Sequence, residues 1–556
     1  MATEGDLQSF SMAHLPIVKE YAHRMGFVEL ANQALDCGMR VSPGDILLGL
    51  VMNVLCGRSP LYRVEEFFGI RDVELLFGPG MTAERFNDDT LGRVLDRIYE
   101  YGTWKLFSEV SLRAFRNFTV DCSVVHQDTT SVSVWGEYEP KPGDTLAINH
   151  GFSKDKRPDL KQFILSLLCV EGNLPCHAGI LDGNASDKKI NGNILVELPQ
   201  IMARHGVKEH EFIYVADSAL MTQENLGIIK EDVDFISRLP ENFSACRELI
   251  RTAVAGSWED VGRLSHRMVK GKDIRASYRL QEQSIELYGR RYRAVTVHSD
   301  AHDRRRKKRL EKAVKKDRAT LSAQAVKLQR QEFFCRADAL AAAELFPEGA
   351  LHKVTRIIEE RPIYGRGRRR KNEPPQPKSI RYRVRIEVAE NQEALEKLQE
   401  EAGCFVLLTT VSDEKKSGKE ILEIYKEQDG IEKNFGFLKD PLIVNDVFLK
   451  KPHRIEAMGL VLVVALLLWR LMERGMRKKV REEKIPLQGW NNGTTLKPTA
   501  FMMVSKFFSV SVGLRDGQRF LFTDLNKVQL DYLKALGVNP EVFTKVNSGV
   551  GCIRAG

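Results

Sequence analysis

From residue 119 to about 245, short β-branched runs alternate with helix-periodic ones, and this order constrains the fold more than any other feature of the chain. VDCSVVHQDTTSV is short and β-branched, which suits a strand. TLAINHGFS and KQFILSLLCV read as further strands, followed by LPCHAGILDGN, where Asp182-Gly183-Asn184 is a turn signal. NILVELPQIMARHG predicts a helix, EFIYVADSAL a strand, ENLGIIKE a helix and VDFISRLP a strand. Three strands, then helix, strand, helix and strand make a mixed α/β layer.

At 556 residues the chain exceeds what one hydrophobic core fills, so two to four domains are expected. Residues 1–118 predict a helical domain with no catalytic signature of its own. Ser42-Pro43-Gly44-Asp45 is a helix start, and Asp88 or Asp89 caps a second helix. In the latter, Leu91, Val94, Leu95, Ile98 and Tyr99 form one apolar stripe. Residues 119–245 are the first part of the α/β core, and 246–400 are an inserted subdomain of strand-like runs around a charged helical stretch at roughly 303–345. The core resumes over 401–485 with the strand-like GCFVLLTT, and 486–556 form a tail that is loop-rich and then helical.

Charge is uneven. The chain carries a net +9, yet segment 301–318 alone has ten Lys or Arg against three acids, and 361–385 has ten against one. The remainder is therefore acidic. Concentrated basic charge of this kind fits a polyanion-binding surface, and Arg304, Arg305, Arg306, Arg368, Arg369 and Arg370 are its candidates. A solvated helix face is the plainer reading of the first segment. The nine cysteines include no C-x-x-C pair, which fits a reducing cytoplasm. Cys176-His177 lacks partner ligands at metal spacing and reads as buried structure. MATEGDLQSF has no basic-then-apolar leader pattern. The longest apolar run, Ala457 to Trp469, is shorter than the ~20 residues that span a bilayer. It reads as a core helix, and no membrane partner is expected.

The run YKEQDGIEKNFGFLK carries the chemistry. Tyr425, Gln428, Glu432 and Lys439 have the spacing Y-x2-Q-x3-E-x6-K, which on one helix sets a ring, an amide, a carboxylate and an ammonium on one face. Two further acids, Asp128 after CSVVHQ and Asp217 after FIYVA, stand at expected strand ends, where functional groups collect in open sheets. Taken singly, each Asp is also a turn former or helix cap, Glu432 a surface glutamate, Tyr425 a core aromatic and Lys439 a helix-end cation. Taken together, three carboxylates suit Mg2+ or Mn2+, with two ions bound between them. His126 reads as a core histidine rather than a general base, and Asp182 and Asp187 as turn residues.

With these residues in place, the chain resembles DDE transposases of bacterial insertion sequences, the IS-four-like group with a Y-R-E-K signature. Gln428 stands where that signature has Arg. It keeps a hydrogen-bonding amide but loses the charged fork. GFSKDKRPDLKQ (151–162), LDGNASD (181–187), VADSAL around Asp217 and FGFLKDPL after Glu432 extend the resemblance over about 120–510. It implies a ribonuclease-H-like catalytic core interrupted by the insertion. Asp128, Asp217 and Glu432 would be the catalytic, metal-binding triad, and Tyr425, Gln428 and Lys439 would contact phosphates, while Lys154 and Arg157 read equally as phosphate contacts or as loop structure. It also implies cut-and-paste transposition by cleavage, hairpin formation and strand transfer. The expected partner is double-stranded DNA, as terminal inverted repeats and target, bound by a homodimer on paired ends in the bacterial cytoplasm at the nucleoid. Two alternatives stay open: a catalytically inactive, DNA-binding relative that represses transposition, and a ribonuclease-H-like nuclease without strand transfer.

Overall fold

In a computed structural model of the chain, the described residues are 7–35, 38, 41–57, 59–134, 138–139, 146–154, 157–229, 233–264, 268–269, 272–273, 276–365, 376–439 and 451–546. The fold is mixed α/β, and the chain divides into two compact units, Met1–Ser237 with Glu423–Gly556, and Arg238–Leu422.

The axis of the first unit is the helix Pro452–Glu483, with proline in its first turn. It is longer than its apolar run because Met472, Met476 and Val480 continue one buried stripe after the sequence turns charged. Among the described residues this is the one helix long and apolar enough to cross a membrane, and 89% of its apolar window is buried inside the protein. Helices Leu15–Met25, Pro43–Met52, Asp88–Tyr101 and Thr103–Phe118 pack around it. Ser42 caps the second of these by accepting from the Asp45 N–H, as the sequence predicts. The cap of Asp88–Tyr101 is instead Asn87, whose Oδ1 accepts from the Thr90 N–H at 2.9 Å. Asp88 and Asp89 sit in the first turn, where their charge still favours the helix dipole. Arg454 of the axial helix forks onto Asp96 at 2.7 and 2.6 Å. The two ends of the chain also meet. Strand β1 (Gln8–Ser11) pairs antiparallel with Ser511–Arg515, and buried Asp72 accepts from Arg519 Nε at 2.6 Å. The tail thus holds a strand pair, Ser511–Arg515 with Gln518–Leu521, as well as the helix Lys527–Leu536.

The sheet of this unit contains β2 (Val124–Val134), β3 (Lys161–Val170), β4 (Leu174–Leu181), β5 (Ile213–Ala216) and β6 (Asp234–Leu239), in the order β4-β3-β2-β5-β6. β2, β3 and β4 are antiparallel neighbours, whereas β5 and β6 run parallel to β2. The helix Asp187–Arg204 connects β4 to β5. TLAINHGFS does not form the expected strand: its described part is a loop with one bridge, Asn149 to Gln162. Beside the two backbone bonds of that bridge, the buried Gln162 amide donates to the Phe152 and Gly183 carbonyls.

In the second unit, Cys404–Thr409, Arg290–Ser299, Ser277–Leu287 and Glu259–Arg263 are successive antiparallel neighbours. The charged stretch is two helices, Asp300–Gln329 and Arg336–Glu344. With the two-stranded ribbon His352–Ile363 and Ser379–Glu390 they enclose a small core of Leu321, Ala325, Ala339, Ala343, Phe346, Val384 and Ile386.

Candidate active site

Parallel register brings the first two acids to one place. His126 on β2 lies opposite Val215 on β5, so two residues further on Asp128 and Asp217 stand level with each other. Asp128 does not end its strand as the sequence suggested. β2 continues to Val134 because β3 pairs with it throughout, whereas β5 stops at Ala216. The parallel neighbour thus departs where Asp128 sits, leaving a notch in the sheet. Both carboxylates are half-buried and each holds one local backbone donor. Asp128 accepts from the Thr129 N–H at 2.7 Å, and Asp217 caps the short turn Ser218–Leu220 through the Ala219 N–H at 3.0 Å.

Burial pushes the Asp128 carboxyl up to about 6, against the Thr129 N–H and the Lys154 charge, with the Asp217 and Asp187 charges adding to the rise. Asp217 is raised as well, by burial first and then by Asp187. Each acid is held against its own ionisation, a pattern common at functional sites.

The helix Asp187–Arg204 completes the rim of the notch. Ser186 caps it, which sets Asp187 in the first turn. Asp187 Oδ1 accepts from Thr129 Oγ1 at 2.6 Å. One turn on, Asn191 shares that face; its amide hydrogen-bonds Asp217, and its Oδ1 accepts from the Tyr214 hydroxyl at 3.3 Å. The sequence reading of Asp182 as a turn residue fits its bond from the Ala147 N–H at 2.8 Å. Asp187 is part of the site instead. The signal available for it was the D-x3-N spacing, which places both polar groups over one edge of the sheet.

Lys154 turns inward. Its Nζ donates to the Thr129 carbonyl at 2.8 Å and to Thr129 Oγ1 at 3.0 Å, and stands 3.6 Å from Asp187 Oδ2. Arg157 makes a fork onto Asp159 at 2.9 and 2.6 Å.

The 425–439 run is two helices rather than one, Gly418–Glu427 and Asp429–Leu438, joined at Gln428. Gly430, in the first turn of the second helix, is needed because a Cβ there would collide with the Asn173 side chain. At the joint, Gln428 Nε2 donates to the carbonyl of Gln127, next to Asp128, at 3.4 Å. Ile431, Asn434, Phe435 and Leu438 are buried, and Asn434 locks the second helix in place. Its Nδ2 donates to the Asn173 carbonyl at 2.9 Å, and its Oδ1 accepts from Arg470 Nε at 2.7 Å. Glu432 lies exposed one turn beyond Gln428, while Tyr425 is half-buried on the first helix. Lys439 caps the second helix, its N–H bonding the Phe435 carbonyl at 2.8 Å. Arg304, Arg305 and Arg306 lie on the Asp300–Gln329 helix of the second unit. Arg368, Arg369 and Arg370 fall outside the described residues.

His126, 3% exposed with its basicity lowered to about 4 by burial, is built as a core residue. Cys176 is buried, with its Sγ against the Leu168 carbonyl.

The structure brings Asp128 and Asp217 together and sets Asp187 beside them. Among the described residues no three His, Cys, Asp or Glu side chains form a group that could hold a metal ion, so Glu432 does not complete a three-carboxylate cage. Mg2+ is ordinarily held by one or two carboxylates, with water and substrate phosphates filling the shell. Asp128 and Asp217 supply two carboxylates, and beside them the Lys154 ammonium stands 3.6 Å from Asp187, so a cation already sits at this acidic edge.

Residues 7–112, which span most of the N-terminal helices, match the family model of a domain of unknown function, DUF4277. No curated protein matches the chain.

Proposed function

We propose that this protein is a DDE transposase that cleaves the ends of its own element and joins the freed 3′-OH to target DNA, acting as a homodimer in the bacterial cytoplasm. In this reading the β2–β6 sheet and its helices are a ribonuclease-H-like core. The observation that carries it is the Gln428 bond to the Gln127 carbonyl. Through it, a run with Y-x2-Q-x3-E-x6-K spacing meets the strand of Asp128, whose parallel neighbour leads into Asp217.

Asp128 and Asp217 would hold a Mg2+ or Mn2+ ion, with water and substrate phosphates filling the rest of its shell. When bound, such an ion activates an attacking oxygen and stabilises the leaving one. The protein's own part is positioning and charge. Thr129 and Ala219 N–H groups fix the two carboxylates, and Asn191 orients Asp217. The Gln428 joint fixes where the helix of Glu432 begins. Tyr425 and Lys439 would contact phosphates, and the basic segments of the second unit would supply non-specific attraction to the duplex.

A second reading, a DNA-binding relative without catalysis, is favoured by two observations: Glu432 stands apart from the aspartates, and Gln428 replaces an arginine. Mg2+-dependent cleavage of an element-end duplex decides between them. The wild type is expected to nick and Asp128→Asn to lose at least a hundredfold in rate. Equal cleavage by both proteins removes the active-site assignment. Salt-sensitive binding with no nicking establishes the second reading, and nicking without joining of pre-nicked ends establishes a nuclease.

A further inference from the structure

Lys154 reaches from a surface loop into the acidic notch, with its side chain only 33% exposed. Three oxygens receive its ammonium: the Thr129 carbonyl at 2.8 Å, Thr129 Oγ1 at 3.0 Å and Asp187 Oδ2 at 3.6 Å. Thr129 is covalently next to Asp128, and its hydroxyl is in turn donated to Asp187 at 2.6 Å. The loop is anchored as well, because the Lys154 N–H donates to Ser131 Oγ at 3.0 Å. An ammonium so placed lowers the cost of keeping Asp128, Asp187 and Asp217 close together, since like charges at this range disfavour one another. It also occupies field that a divalent cation would use.

We propose that Lys154, bound to Thr129 and Asp187, is the resident counter-cation of the acidic notch that holds Asp128 and Asp217, and that a divalent ion binding in the notch displaces its ammonium toward solvent, where a DNA phosphate can take it. Lys154 is then a positioning residue that couples metal loading to DNA contact. The inference rests on the reading of Asp128 and Asp217 as metal ligands.

Two measurements on the full chain test it. The first is Mn2+ affinity by electron paramagnetic resonance, without DNA. Lys154→Met, which keeps stem length and removes the charge, is expected to bind Mn2+ about tenfold more tightly than wild type. Lys154→Arg, which keeps the charge, is expected to stay within about twofold. Equal or weaker binding by a folded Lys154→Met protein overturns the proposal. Asp128→Asn serves as the control: loss of Mn2+ binding leaves the metal-site reading standing whatever Lys154 does, whereas undiminished binding removes that reading and this inference together. The second measurement needs no variant. Acetylation of the wild-type Lys154 amine, followed by mass spectrometry, is expected to run several-fold faster with saturating Mn2+ than with EDTA. An unchanged rate overturns the displacement.

Discussion

Asp128 is a carboxyl kept where its ionised form is least welcome. Burial dominates, the Asp217 and Asp187 charges add to it, and the Thr129 N–H and Lys154 recover only part. Its folded-state value of about 6 exceeds the unfolded 3.8, so the folded protein binds this proton more tightly. The stabilisation is therefore present at low pH and lost as pH rises through about 6. At pH 7.5 ionised Asp128 costs stability. Two pKa steps are worth about 3 kcal/mol in full, and half-burial with partial screening reduces this to about 1–2 kcal/mol. Asp128→Asn is thus expected to be more stable than wild type by that amount in urea titrations at pH 7.5 with EDTA. The gain should shrink toward zero near pH 4. A gain that is the same at both values would mean that packing, not charge, is responsible.

At the level of elements, the helix Asp429–Leu438 is held by a few specific contacts, and these make it sensitive. Alanine is normally about 1 kcal/mol better than glycine inside a helix. At Gly430 a methyl would strike the Asn173 side chain, and overpacking of that kind costs about 1–3 kcal/mol. Sterics should win, so Gly430→Ala is expected to lower stability by about 1–2 kcal/mol net. Asn434→Leu should cost about 2–3 kcal/mol, because the Asn173 carbonyl and the buried Arg470 guanidinium each lose a partner. Both substitutions displace the helix of Glu432, so cleavage should fall further than the fraction folded, as paired melts and rate measurements would register.

Much of this element-level picture was readable from the residues. KQFILSLLCV is β3 residue for residue, because a strand buried on both faces has to be continuously apolar. The 425–439 run was misread as one helix because its spacing counts turns but does not register the joint at Gln428. TLAINHGFS was misread because buried Leu146 and Ile148 alternate as in a strand, while its backbone pairs at isolated points, Asn149 with Gln162 and Ala147 with Gly183. Asn434 carries no local signature, and the D-x3-N spacing of Asp187 and Asn191 marks a shared helix face without saying what that face meets. Their importance arises from what lies opposite them, and only the packed sheet supplies that.

Across the whole molecule, acid should be more damaging than the aspartates alone suggest. Burial lowers His14, His126, His177 and His205 from 6.5 to about 4. An unfolded chain takes up those protons first, so stability present above pH 6.5 is lost as pH falls toward 4. Asp45 and Asp128, raised from 3.8 to about 6, work in the opposite direction over nearly the same window. Four displaced histidines, with His23 lowered as well, outweigh the three raised aspartates Asp45, Asp128 and Asp217, although His177 and His205 are only half-buried and contribute less than the two fully buried rings. The urea midpoint is therefore expected to drop steadily between pH 6.5 and 4.5 rather than rise. His14 offers a direct check, because its Nε2 meets the Leu55 carbonyl at 3.2 Å inside the N-terminal helices. His14→Gln retains a donor for that carbonyl and removes the titrating ring. It should flatten the pH slope by roughly one histidine's share, up to about 3 kcal/mol across the window. A midpoint that rises on acidification, or a slope indifferent to this substitution, would place the dominant proton uptake elsewhere.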